Sequence, residues 1–433
     1  MDNIKSKVIS FLRDNNMYYE DIPFKESCDD FISEMEKGLL SDEGTLKMIP
    51  TYLTIDGNIP SNKPVIVMDA GGTNFRVAVV TFDDKKQPQI TDFNVYPMPG
   101  SDREISKEEF YDKVVDYVEP VLNKGDRIGF CFSYPTKVLP NKDGIVLQMS
   151  KQVKIDGIIG DIIGENILKR IKDRGYGDKK IVILNDTVAT LLGGKAFCPD
   201  KNFESYIGFI LGTGTNTCYI EECKNIRKIT EFNESENMII NMESGGYGKI
   251  KRGLIDEEFD REMIDPNEYL FEKMVSGRYL GPLIFKTIKK ACKNNLFTKE
   301  FSSNINNLDS LNLKDVSEFL NLPYSNNILS NCCFDEDDRL TLFYIIDFMI
   351  ERASKIIAVS LAGTIKKSGK GKNPLKPVCI TADGSTFYKL KGFKEKLDYY
   401  VRKNINDEMG YFVEFIKMDN APVIGAAIAG LIN

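Results

Sequence analysis

No histidine and no tryptophan occur among the 433 residues. The missing imidazole excludes Ser-His-Asp and Cys-His catalysis and removes the commonest nitrogen ligand of zinc sites. A general base working near neutral pH must then be a carboxylate, a lysine or a bound water. The nine cysteines contain no C-x-x-C pair. An odd number without paired spacing reads as reduced thiols in a reducing compartment. The P-loop pattern, a glycine followed five residues later by Gly-Lys-Ser/Thr, is absent, which removes that nucleotide-binding class. Basic residues are not in excess: the net charge is −7, which argues against nucleic acid as the main partner. The most apolar long stretch, Leu340 to Ile365, is interrupted by Asp347, Glu351, Arg352 and Lys355. It reads as a buried amphipathic helix and not as a membrane span. The first 16 residues lack an apolar segment followed by a small-residue cleavage site, so a cytoplasmic location is expected.

The chain is long enough for two domains or one two-lobed body. Ile4, Val8, Phe11 and Leu12 fit one helical face, and a second helix is expected near Phe24 to Leu40. Beyond Pro64 the run VIVMDAGGTNFRVAVVTF (Val65 to Phe82) sets two apolar strands around a Gly-Gly turn and reads as a hairpin. Glu108 to Leu122 carries helical spacing. Arg127 to Tyr134 and Lys180 to Leu184 read as buried strands, and a helix follows from Thr187 to Lys195 with Asp186 at its N-terminal end. A second β run, Tyr206 to Glu222, repeats the first at an offset of 142 positions, with Gly72-Thr73-Asn74 falling on Gly214-Thr215-Asn216. Such self-similarity is the mark of two related lobes. Residues 301–331, rich in Asn, Ser and Leu, are expected to form surface loops with short helices. The basic run SGKGKNPLK is expected to be a solvated loop.

Several of these junctions carry groups able to do chemistry. In Asp69-Ala70-Gly71-Gly72-Thr73-Asn74-Phe75-Arg76, glycines let backbone N–H groups approach phosphate oxygens. Thr73 adds a hydroxyl, Arg76 a permanent positive charge, and Asp69 a carboxylate able to hold a metal ion through water. Gly212-Thr213-Gly214-Thr215-Asn216 has Thr217 where a dinucleotide fingerprint has its third glycine, and it leads into a strand. The Rossmann reading therefore fails, and a phosphate-cradling hairpin stays open. Asn185-Asp186-Thr187 stands where a strand meets a helix, a usual place for a catalytic carboxylate and equally for a helix cap. Thr381-Ala382-Asp383-Gly384-Ser385-Thr386 and Asn241-Met242-Glu243-Ser244-Gly245-Gly246 are further polar turns. Each motif alone also reads as an ordinary turn.

Taken together and in order, the motifs resemble the hexokinase family over nearly the whole chain: Asp69 to Arg76, Phe132-Ser133-Tyr134-Pro135, Ser150-Lys151, Asn185-Asp186-Thr187, Gly212 to Asn216, Asn241-Met242-Glu243, Glu272 and Asp383-Gly384-Ser385. The resemblance implies an α/β, two-lobed, ribonuclease H-like fold of the actin-like ATPase class, with a ligand cleft between lobes. It puts residues 61–186 and a C-terminal helix at about 421–433 in the small lobe, and 1–60 and 187–420 in the large one. It implies transfer of the ATP γ-phosphoryl group to the C6 hydroxyl of a hexose, with Mg²⁺ accompanying ATP. Asp186 would be the general base. Lys151 would bind sugar and face the transferred group. Ser133, Ser150, Asn185, Asn216, Glu243 and Glu272 would bind the other hydroxyls. Asp69, Gly71, Gly72, Thr73, Asn74 and Arg76 would form one phosphate loop, and Thr213 would serve the second. Gly277, Arg278, Thr298 and Ser385 would lie near the adenosine. Asp69 and Asp186 would meet the metal through water. The chain departs from the family at Ser244, where many members carry tryptophan, at Ser150, where threonine is common, and at Thr215, where some have cysteine. These changes bear on sugar preference. A catalytically weak sugar sensor, or an ATPase of the actin or chaperone type acting on a protein, would share the phosphate turns. The second of these would not need the hydroxyl-binding set Asn185-Asp186, Asn241, Glu243 and Glu272.

Overall fold

The computed structural model describes residues 2–149, 153–197, 201–233 and 235–433. Strand β1 (Val65–Ala70) is buried at all six positions, as a strand with apolar residues on both faces must be. It pairs antiparallel with β2 (Asn74–Phe82) around the Gly71-Gly72-Thr73 tip. On its other side it runs parallel to β4 (Arg127–Phe132), which runs parallel to β5 (Lys180–Leu184). An exposed strand, β3 (Pro88–Pro97), completes the sheet in the order β5-β4-β1-β2-β3.

A second sheet repeats that plan. Strands β6 (Ser205–Leu211), β7 (Thr215–Glu222) and β8 (Asn237–Asn241) form an antiparallel meander, and β6 continues in parallel to β9 (Val378–Asp383) and β10 (Val413–Ile416). Its order, β8-β7-β6-β9-β10, extends by the short strand Ile49–Pro50 beyond β8. The hairpins related by the 142-residue offset thus hold equivalent central positions.

Two helices fill the space between the sheets: α1 (Asp186–Phe197) and α4 (Ala421–Ile432). One apolar cluster joins Val65, Val67 and Leu184 of the first sheet, Leu191 and Leu192 of α1, Ile424 and Ala427 of α4, and Cys218 and Ile239 of the second. The approach is close enough to require glycine. A Cβ on Gly425 would lie 1.7 Å from the Ala189 carbonyl oxygen, and one on Gly208 would lie 2.3 Å from that of Thr187.

The expected helix within 340–365 is part of α3 (Glu336–Ser368), 33 residues long. Asp335 caps its start by accepting the Asp338 N–H, and Gly369, at φ 66°, ends it. Its buried Arg352 forks onto Asp256 at 3.1 and 2.5 Å, so the charge is paired inside the core. No described helix is long and apolar enough to cross a membrane. The second expected helix spans Phe24–Leu40, and short helices at Lys299–Asn306 and Leu313–Asn321 interrupt the Asn- and Ser-rich stretch.

Candidate active site

The parallel strands β1, β4 and β5 end level with one another, with Asp69, Cys131 and Leu184 in register. Asn185 and Asp186 leave the sheet immediately beyond. Asn185 is the helix cap: its Oδ1 accepts the Thr187 N–H at 2.8 Å. That duty leaves Asp186 in the first turn, where the exposed N–H groups favour negative charge. Its Oδ1 accepts from the Thr187 N–H at 2.8 Å and from the Thr187 hydroxyl at 3.3 Å. Its Oδ2 has no partner among the described residues. Burial pushes the Asp186 carboxyl up to about 6. The Thr187 N–H opposes that shift, and the charges of Asp69 and Glu243 reinforce it. Asp69 comes from the first sheet and Glu243 from the turn just beyond β8 of the second, so Asp186 feels both. Beneath it the Cys131 thiol is held well above its usual range by burial and then by Asp69 and Asp186; it stays a neutral floor.

Arg76 donates from Nη1 to Asp69 Oδ2 at 2.6 Å. The Tyr134 hydroxyl donates to the Gly71 carbonyl at 2.7 Å and braces the first turn. Ser133 donates its N–H to the Ala70 carbonyl at 3.2 Å, which keeps it beside that turn. At the tip, Gly72, Thr73 and Asn74 are exposed, and the Gly72 and Thr73 N–H groups have no partner among the described residues. A Cβ at Gly72 would meet nothing within 4 Å. The tip is bare backbone facing open space.

The second hairpin is built alike. Thr213 and Gly214 likewise carry N–H groups without a partner among the described residues. The rest of the turn is tied down. Gly277 and Arg278 donate their N–H groups to the Gly212 and Thr213 carbonyls at 2.8 and 3.0 Å, and the Thr386 hydroxyl donates to Gly212 at 2.9 Å. Gly384, next to Ser385, would drive a Cβ to 2.2 Å from the Leu211 carbonyl oxygen and stands at φ 116°. Consecutive free N–H groups at a turn can hold an anion, and both hairpin turns offer such a pair among the described residues.

Glu272, on helix α2 (Leu270–Val275), accepts the Thr215 N–H at 3.0 Å. Burial, chiefly, raises its pKa, and Glu243 adds to this. Glu243 is likewise raised by burial, against the hydrogen bonds of Asn241 and Asn216. Both glutamates could have been exposed residues by type; each is half-buried. Thr298 opens a helix. Its hydroxyl caps the helix Lys299–Asn306 by accepting the Phe301 N–H at 3.1 Å, and it donates to Asp338 at 2.6 Å. No hydrogen bond joins it to the turn residues. Ser150 and Lys151 lie outside the described residues. Sequence reasoning missed Tyr134 and Thr386 as braces, although both sit inside motifs it singled out. A cavity of about 630 Å³ elsewhere is lined by Tyr19, Glu351, Lys355, Lys396, Tyr400 and Lys403 and includes none of the candidate residues.

Hard carboxylate oxygens at Asp69 and Asp186 suit Mg²⁺, which takes one or two carboxylates and leaves its other positions to phosphate oxygens and water. The donor set therefore fits a metal that arrives with a nucleotide.

Comparison with known proteins matches residues 206–432 and 13–196 to two family models, each described as hexokinase. The chain is 29% identical over 423 residues to Hexokinase-2 of Homo sapiens, covering 92% of this chain and 45% of that protein. It is 27% identical over 430 residues to Hexokinase-1 of Schizosaccharomyces pombe, covering 94% of this chain and 86% of that one. It thus spans about half the length of the mammalian relatives it matches. Among solved structures, the hexokinase from Schistosoma mansoni complexed with glucose superposes with a TM-score of 0.78 at 24% identity over 99% of both chains. A ROK hexokinase from Thermus thermophilus gives 0.53 at 14% identity over 85% of this chain and 97% of that one. The fold is the two-lobed, ribonuclease H-like fold of the actin-like ATPases.

Proposed function

The chain belongs to the hexokinase family, and on that premise we propose that it is an ATP-dependent hexose 6-phosphotransferase acting on glucose or a related hexose. The observation that carries this reading is Asp186. It is a carboxylate with one free oxygen at the strand ends, between Asp69 of one sheet and Glu243 just beyond β8 of the other, with its pKa pushed up to about 6. A base with that pKa is ionised at neutral pH and still able to accept a proton, which is what general-base catalysis asks of it.

A neutral hexose offers hydroxyls and no charge. Asn185, Glu243 and Glu272, with Ser133, Ser150 and Lys151, form the set that recognises them, and Asn216 serves it through its hydrogen bond to Glu243. A site whose buried polar groups need those hydroxyls rejects sugars lacking one. Asp186 takes the proton from the C6 hydroxyl. The C6 oxygen bonds to the γ-phosphorus, the bond from that phosphorus to the bridging oxygen breaks, and ADP leaves with the electron pair. The open N–H groups of Gly72 and Thr73 and of Thr213 and Gly214 hold phosphate oxygens, with Asp69, Gly71, Asn74 and Arg76 supporting the first turn. Lys151 faces the transferred group. Asp69 and Asp186 would hold Mg²⁺ through water, and the metal would supply charge neutralisation at the phosphates. Gly277, Arg278, Thr298 and Ser385 line the adenosine side. Residues 61–186 with 421–433 form the small lobe, the remainder the large lobe, and a cytoplasmic location goes with this reading.

The test is Asp186→Ala. Removing a general base costs about 10²–10⁴-fold in turnover, a barrier rise of roughly 3–5 kcal/mol, while hexose binding by calorimetry persists. Near-normal turnover of the folded variant refutes the assignment.

A further inference from the structure

Behind the Glu243 carboxylate, a group of side chains consumes its own hydrogen-bonding capacity. Asn216 Oδ1 accepts the N–H groups of Thr217 at 2.7 Å and Ser244 at 3.1 Å. Its Nδ2 donates to Asn241 Oδ1 at 2.8 Å and to Glu243 Oε1 at 3.2 Å. A side-chain amide has two donors and one oxygen with two lone pairs, so Asn216 is filled. Asn241, the last residue of β8 and only 6% exposed, returns its own Nδ2 to Glu243 Oε1 at 2.7 Å. Glu243 Oε1 therefore takes two N–H groups, and Oε2 has no partner among the described residues. The backbone of Glu243 is left-handed, φ 54° and ψ 49°. A non-glycine residue holds that conformation only where its surroundings over-determine it. Here the surroundings are the two amides and the Ser244 N–H.

We propose that Asn241 is a positioning residue for sugar recognition. It does not touch the hexose. Together with Asn216 it pins Glu243 so that Oε2 alone is presented as the acceptor for one particular hydroxyl. The inference rests on the sugar-kinase reading. It goes beyond it in giving Asn241 and Asn216 a task performed through Glu243, and in predicting a penalty confined to a single position on the ring.

The experiment uses the full chain and Asn241→Asp, which keeps the size and the oxygen that Asn216 donates to. This variant loses the donor to Glu243. Asn241→Ala serves in its place if that variant fails to fold by circular dichroism. Initial rates are measured with glucose and with its 1-, 2-, 3- and 4-deoxy analogues. The expected result is a KM for glucose raised about 10-fold to 100-fold, the factor for losing one hydrogen bond to a charged group, with kcat unchanged. For one analogue, the one lacking the hydroxyl that Glu243 accepts, parent and variant should give the same kcat/KM. Glu243→Gln should single out the same analogue. An unchanged KM, an equal loss on every analogue, or a fall in kcat alone overturns the proposal. A parent protein that phosphorylates no hexose removes the kinase reading and the positioning role with it. A parent that phosphorylates glucose while the variant loses evenly across the panel removes only the latter.

Discussion

Acidification through pH 6 acts directly on the candidate base. The Asp186 carboxyl lies at about 6, raised from an ordinary 3.8 chiefly by burial and further by Asp69 and Glu243. Only the ionised form can accept the C6 proton. The active fraction is therefore about one half at pH 6, one tenth at pH 5 and one hundredth at pH 4. Because kcat/KM reports the free enzyme, rates at low hexose, followed by direct quantification of ADP between pH 4.5 and 8, should show an acid limb of unit slope breaking near 6. The chain has no histidine, so no imidazole can produce that limb. Glu243→Gln removes a like charge near Asp186 and should move the break to lower pH, whatever it does to KM. A profile flat to pH 4.5, or a break that rises in Glu243→Gln, refutes the reasoning.

The same shift has a thermodynamic face. Folding raises the pKa of Asp186, so ionising it opposes folding. The penalty is absent below about pH 4, grows between 4 and 6, and is complete above 6. Asp186→Asn should therefore gain about 1–3 kcal/mol in denaturant unfolding at pH 7, allowing for its partial exposure, and nothing at pH 4. Gly425→Ala forces a methyl to 1.7 Å from the Ala189 carbonyl; a loss of about 1–3 kcal/mol, seen as a lower Tm, is expected. Asp256→Ala leaves the buried Arg352 guanidinium unpaired and should cost about 3–5 kcal/mol by the same measurement.

Both hairpins could be read from sequence because each interrupts continuous apolar strand with a glycine turn, a pattern that survives any packing. Strand β3 could not. Most of its side chains are exposed, and it exists because β2 offers a free edge, which leaves no apolar period to detect. The junction at Asn185-Asp186 was legible as a cap or a catalytic site; Asn185 takes the cap by accepting the Thr187 N–H. The partial burial of Glu243 was not legible. It depends on a left-handed backbone at a residue type that carries no signature for it, and on amides contributed by β7 and β8. Thr298, expected from the resemblance to lie near the adenosine, also opens a helix, its hydroxyl accepting the Phe301 N–H and donating to Asp338, a local task that the motif order does not announce.

Helix α1 begins with Asp186 and is pressed on one side by β6 and on the other by α4, with contacts so tight that only glycine fits at Gly208 and Gly425. The Asp186 carboxylate is thus mounted on the axle and not on either leaf. If one leaf swings about the other, points near the axle travel least and the hairpin tips travel furthest. Such a swing would carry the two glycine turns through the largest arc while leaving the Asp186 carboxyl almost where it was.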